Sequence, residues 1–115
     1  MGTFHSVRGW LQVDEVQLEH IKQIIAADVD EVGHYTASWY FPTAGGGYST
    51  FVFFGCTVRD SALLNLKRQI ARIASEAVSE DPPYTDYPTG VFHISPEDGP
   101  ESIWRVSDSR LLEKS

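Results

Sequence analysis

Four histidines, one cysteine and several adjacent carboxylates are the residues of this chain whose types could do chemistry at a metal or a bond. A metal centre needs roughly two to four His, Cys, Asp or Glu side chains converging on one point. His5, His20, His34 and His93 fall on different expected elements, and Cys56 stands alone. His5 and His93 sit on strands that could be neighbours, which makes a pair without a third ligand. Cys56, between Gly55 and Thr57 in an apolar run, reads as a small buried hydrophobe and not as a nucleophile. The pairs Asp14–Glu15, Glu80–Asp81 and Glu97–Asp98 lie at a helix start or in loops, where carboxylates cap or solubilise. TAGGGYST at 43–50 is glycine-rich but fits neither nucleotide-binding pattern. It joins strand to strand, so no helix N-terminus is available for a phosphate. The expectation is no catalytic residue, no metal and no cofactor.

Two features suit binding. The first is a sheet face that by alternation carries Arg8, Trp10, Ser38, Tyr40, His93 and Arg105. The second is EDPPYTDYP at 80–88, which sets Tyr84 and Tyr87 among Glu80, Asp81 and Asp86 between prolines. Tyrosine buries large area at small entropic cost and is favoured where partners dock. Carboxylates around it would suit a cationic groove. This loop, with Glu80, Asp81, Tyr84, Asp86 and Tyr87, is the expected contact for a protein partner.

The elements that must position these residues follow from hydrophobic period. Phe4 to Val13 alternates as a strand, with Val7, Leu11 and Val13 on a core side and Arg8 and Trp10 on the other. Gly9 implies close backbone approach or a bulge. Asp14 and Gln17 form a capping-box pattern ahead of Leu18, Ile21, Ile24 and Ile25, which predicts a helix over 15–27. His34 to Phe41 alternates as a strand ended by Pro42, TAGGG makes a turn, and Tyr48 to Val58 forms the returning arm. Both faces of that arm are apolar, so it is expected to be central, with most of its Phe residues in the core and Gly55 as a bulge.

Asp60 or Ser61 should cap a helix reaching about Ser79, striped by Leu63, Leu66, Ile70, Ile73 and Ala77. Residues 80–88 are too proline-rich for helix or central strand and read as a loop. GVFHIS and SIWRV form a hairpin, and Arg110 to Leu112 could add a last strand. The order β-α-β-β-α-β-β predicts a single α+β domain over 1–115. Its expected architecture is a ferredoxin-like sandwich with an additional C-terminal strand, both helices covering one face of an antiparallel sheet.

Composition narrows the function classes. The chain has 115 residues, 42% hydrophobic content and a net charge of −7. That charge argues against nucleic acid, because phosphate contacts need clustered Lys and Arg. It permits a basic protein partner. No apolar run approaches the ~20 residues of a membrane helix. MGTFHS has the shape of an acylation site, but it runs straight into a core strand with no polybasic anchor. A lone cysteine fits a reducing cytoplasm.

The succession of FHSVRGWLQV, HYTASWYFP and FVFFGCTVRDSALLNLKRQI resembles small immunity proteins of bacterial polymorphic-toxin and contact-dependent inhibition systems. The likeness rests on Gly9-Trp10, on Trp39-Tyr40-Phe41-Pro42 and on the aromatic strand entering a helix at Arg59-Asp60. It implies a cytoplasmic, non-enzymatic protein that neutralises a cognate toxin domain by occlusion, the −7 charge pointing to a basic, nuclease-like one. Two other classes stay open. One is a ferredoxin-like small-molecule-binding or enzymatic homodimer using a concavity around Arg8, Trp10, Tyr40 and His93. The other is a prophage structural or assembly protein.

Overall fold

The computed structural model describes residues 3–28, 33–42, 49–81 and 84–114. In chain order the elements are β1 (Phe4–Val13), α1 (Glu15–Ala27), a 3₁₀ helix (Gly33–Ser38), β2 (Trp39–Tyr40), β3 (Thr50–Arg59) and α2 (Asp60–Glu76). They continue with β4 (Ser79–Asp81), β5 (Tyr84–Asp86), β6 (Thr89–Pro96), β7 (Ser102–Ser107) and β8 (Arg110–Lys114). Six strands form one sheet in the order β2-β3-β1-β6-β7-β8. Every pairing in it is antiparallel.

β1 is the hub, paired along its length with β3 on one side and β6 on the other. Its Val7, Leu11 and Val13 are buried while Ser6, Arg8, Trp10 and Gln12 are exposed, as expected of a sheet with one covered face. Val52, Phe54 and Val58 of β3, Phe92 and Ile94 of β6, and Trp104 and Val106 of β7 extend the buried layer. Ile21, Ile24 and Ile25 of α1 and Leu66, Ile70, Ile73 and Ala74 of α2 pack onto it in one continuous core. Burying a side chain of this kind contributes about 1.5–3 kcal/mol.

Gly9 admits the close approach that its position implied. A Cβ there would collide with the Val91 carbonyl, and one at Gly90 with the Trp10 carbonyl. Glycine at both positions lets β1 and β6 come together under Phe92.

α1 begins as its sequence predicts. Gln17 N–H donates to Asp14 Oδ1 at 2.8 Å, and Asp14 N–H donates to Gln17 Oε1 at 2.8 Å. This reciprocal cap satisfies two otherwise orphaned amides. α2 differs from expectation. Its N-cap is Arg59, without a side-chain cap, and the helix stops at Glu76. Asp60 is occupied instead by His5, whose Nε2 lies 2.9 Å from Asp60 Oδ1.

Three expectations need larger correction. Residues 33–38 coil as a 3₁₀ helix, so only Trp39 and Tyr40 pair with β3, opposite Phe54 and Phe53. Tyr35 replaces part of the missing ladder, its hydroxyl accepting from Arg59 N–H at 3.1 Å. The 80–88 stretch is not a plain loop, because β4 and β5 pair as a small antiparallel ribbon. β3 runs straight through Gly55, opposite Arg8, without a bulge. The expected TAGGG turn lies outside the described residues. At the C-terminus a two-residue turn with positive φ at Asp108 (50°) and Ser109 (67°) returns the chain into β8, so the last strand that Arg110 to Leu112 could add is formed and reaches Lys114.

Candidate functional site

The sheet face away from the helices has no covering element among the described residues. Because directly opposed residues share a face, one row crosses all six strands: Tyr40, Phe53, Trp10, Val91, Arg105 and Leu112. At the usual ~4.8 Å between strands this row is about 24 Å long. Phe51, opposite Gln12, extends its aromatic end. Trp10 is 36% exposed, Phe51 44%, Phe53 51% and Tyr40 59%. Trp10 meets Phe51 edge-on at 5.7 Å, and Phe51 stacks on Phe53 at 6.3 Å. The pairing fixes these rings relative to one another while leaving their outer surface in water. Most phenylalanines of this arm were expected in the core; of Phe51, Phe53 and Phe54 only Phe54 is there, beside Val52.

The next row is Gly55, Arg8, His93, Ile103 and Lys114. Gly55 has no side chain, and a Cβ added there would meet nothing within 4 Å. The result is an open dish of about 360 Å³ lined by Arg8, Trp10, Tyr40, Phe53, Gly55 and His93 over Gly9 and Phe54. Its walls are almost wholly apolar, and a guanidinium and an imidazole sit at its edge.

Charge on this face is segregated from the rest of the molecule. The outward strand positions carry Arg8, Arg59, Arg105, Arg110 and Lys114 and not one carboxylate, in a chain with 16 Asp and Glu against 9 Lys and Arg. Arg8 Nη1 donates to Ser95 Oγ at 3.0 Å, and its Nη2 is 3.9 Å from Glu101, a residue of the β6–β7 turn. Arg59 lies over the Phe4 ring at 6.0 Å. Arg105, Arg110 and Lys114 form no ion pair with any described residue.

Five of the six residues expected on this face are there: Arg8, Trp10, Tyr40, His93 and Arg105. Ser38 is not, because it ends the 3₁₀ helix and lies outside the ladder. The acidic tyrosine stretch is only partly visible. The side chains of Glu80, Asp81 and Tyr84 lie outside the described residues; Asp86 and Tyr87 are exposed. This ribbon is tied to the start of α1, where buried Gln17 donates from Nε2 to the Asp86 carbonyl at 3.0 Å.

The other candidate chemistry disperses. His5 points to the helix side of β1 and His93 to the open side, so the two cannot share a ligand. Cys56 is half-buried on the helix side, its Sγ–H donating to the Thr57 carbonyl at 3.4 Å. Among the described residues there is no group of three or more His, Cys, Asp or Glu that could hold a metal. No helix is long and apolar enough to cross a membrane.

Alternation did separate Phe51 and Phe53 from Val52 and Phe54, so these rings were within reach of sequence. The grouping of Arg59, Arg110 and Lys114 with Arg8 and Arg105 was not, because only the strand order brings them together. Comparison with family models, with curated proteins and with solved structures finds no match.

Proposed function

We propose that this is a non-enzymatic binding protein of the immunity type, which neutralises a toxin domain in the cytoplasm by covering it, and that the open sheet face does the covering. The fold belongs with the ferredoxin-like sandwiches. In support, the subset β2-β3-β1-β6 with α1 and α2 on one face follows the order of a split β-α-β arrangement. β7 and β8 extend it on the β6 side.

One observation carries the functional reading: four exposed aromatic side chains, Trp10, Tyr40, Phe51 and Phe53, lie contiguous on a ladder. Interfaces are enriched in aromatic residues and Arg and depleted in Asp and Glu. Trp, Tyr and Arg dominate their binding energy. The open face has this composition, and an uncovered apolar patch on a soluble domain marks a contact surface. The β4–β5 ribbon, with Asp86 and Tyr87, is a secondary contact in this reading.

The test is co-expression with a toxin domain from an adjacent gene, scored by survival and co-purification. Trp10→Ala with Phe53→Ala should abolish protection while the protein stays folded. Asp86→Ala with Tyr87→Ala should weaken it less. Full protection by the Trp10/Phe53 double variant contradicts the sheet-face assignment.

A second reading rests on the dish itself. Its apolar walls beside Arg8 and His93 also suit a small planar anion. Saturable binding of such a compound with no partner protein involved would favour this reading.

A further inference from the structure

The notable property of the open face is its sign. The molecule carries −7 overall, which by itself suggests a cationic partner. The face with the exposed aromatic rings carries the opposite charge. We infer that the open sheet face accepts an acidic protein segment with an apolar anchor side chain, the anchor seated in the dish at Gly55 and flanking carboxylates held by Arg8 and Arg105. This rests on the sheet-face reading above and gives the chemistry of its partner.

The geometry supports each part. The dish is about 360 Å³, enough for one large side chain. It has Trp10, Tyr40 and Phe53 as walls and a glycine where a side chain would fill it. Arg8 stands opposite Gly55 at one end. Arg105 lies two strands beyond Trp10 in the aromatic row, with no ion-pair partner among the described residues. An unpaired guanidinium beside apolar surface is matched by a carboxylate, which it can hold through two parallel hydrogen bonds. The strands carry no outward carboxylate, and the one that reaches the face, Glu101 of the β6–β7 turn, lies against Arg8 and Ser95, so a basic segment would meet mainly like charge.

The same charges argue against the other occupants. Two copies stacked with like strands together would oppose Arg8, Arg105, Arg110 and Lys114 of one to the same residues of the other, and stacked end over end would leave those cations without carboxylates. A nucleic acid presents a dense run of phosphates and draws affinity from many cations at once. Here Arg59 is spent on the Phe4 ring, only Arg8 and Arg105 border the aromatic row, and the remainder of the chain repels a polyanion.

The experiment uses the full chain, isotope-labelled, and three pentapeptides with a central tryptophan: one flanked by glutamates, one by lysines, one by serines. Amide and indole resonances are followed during titration, which detects millimolar binding. The glutamate peptide should shift the Gly55 amide and the Trp10 indole N–H saturably. It should bind at least about tenfold more tightly than the lysine peptide, as expected when opposite charge replaces like charge on an interface. Its affinity should fall as salt rises past ~0.15 M.

Gly55→Leu, whose Cβ would meet nothing within 4 Å, should, by filling the dish, lose binding about tenfold, the loss of one hot-spot contact. So should Arg8→Glu, and Tyr40→Ala serves if either fails to fold. The lysine peptide binding there as tightly, or no peptide shifting these resonances, overturns the inference. So does an eight-nucleotide oligouridylate that binds the face more tightly than the glutamate peptide, or light scattering that shows a dimer closing it. Protection lost in Trp10→Ala with Phe53→Ala, but with the lysine peptide preferred, would sink the partner chemistry and leave the sheet-face reading standing.

Discussion

The two faces of the sheet are built from alternating residues of the same strands, yet they do opposite things. On the helix side Val7, Leu11, Val52, Phe54, Phe92 and Trp104 are buried in one core. On the other side Trp10, Phe51 and Phe53 are set on the same backbone and remain wet. The difference is in what surrounds them and not in residue type. Phe54 lies 4.9 Å from the Trp39 ring, and Trp39 in turn donates from Nε1 to Gln69 of α2 at 3.2 Å. Phe53, one residue earlier, has Phe51 at 6.3 Å and no helix above it. The covered face uses its apolar area to hold the fold together, whereas the open face keeps its own available.

The largest expected effect that would break this comparison is on the covered side. Phe54→Ala should cost about 3–5 kcal/mol, the range for deleting a buried phenylalanine. Phe53→Ala should cost less than about 1 kcal/mol, the scale of a cross-strand surface pair. Urea unfolding of the two variants measures the contrast, and equal losses would mean that the open face also holds the fold together. Next is Gln69→Leu, which leaves the buried Trp39 N–H without its acceptor and should cost about 1–3 kcal/mol. It also removes the donor to Asp28 Oδ2 at 3.4 Å.

Asp14→Ala should then remove about 1 kcal/mol by opening the α1 cap. The smallest effect is at the sheet's far edge. The Glu113 carboxyl is held below the usual carboxylate range by the hydrogen bond from Trp104 Nε1, 2.8 Å, and then by Lys67, 3.0 Å. A depressed folded-state value means that this contribution is present above the unfolded carboxylate value. It fades as pH falls through the lower folded one. The Glu113 side chain is 46% exposed, so screening keeps the contribution under about 0.5 kcal/mol. Comparing Glu113→Gln with the parent across acid pH should show their stabilities converging as pH falls.

How much of this was legible in the sequence follows the range of the interactions. β1 and the α1 cap are local: strict alternation over Phe4 to Val13, and Asp14 with Gln17 three residues on. Both stand where their patterns put them. The 3₁₀ helix was not legible. GHYTAS alternates like a strand, but Tyr35 reaches the Arg59 amide with its hydroxyl, a contact 24 residues away that no local pattern encodes. The β4–β5 ribbon was hidden because the prolines of EDPPYTDYP make the stretch read as a loop, and strands of three residues are too short to show a period. β3 read as central because its outer residues are phenylalanines, and it lies one strand in from a two-residue edge. The charge of the open face was the least legible, since Arg8, Arg59, Arg105, Arg110 and Lys114 are scattered along the chain and the net charge has the opposite sign.

The central claim is that the open aromatic face is the docking surface. It is tested most directly by protection of cells against the cognate toxin domain that the proposed function requires, comparing Trp10→Ala with Phe53→Ala against Val16→Ser with Leu64→Ser. Val16 and Leu64 are exposed apolar residues at 53% and 55%, on the two helices. The account predicts that the sheet-face pair abolishes protection and the helix pair leaves it intact, with both proteins folded. Protection retained by the sheet-face pair and lost in the helix pair would contradict it.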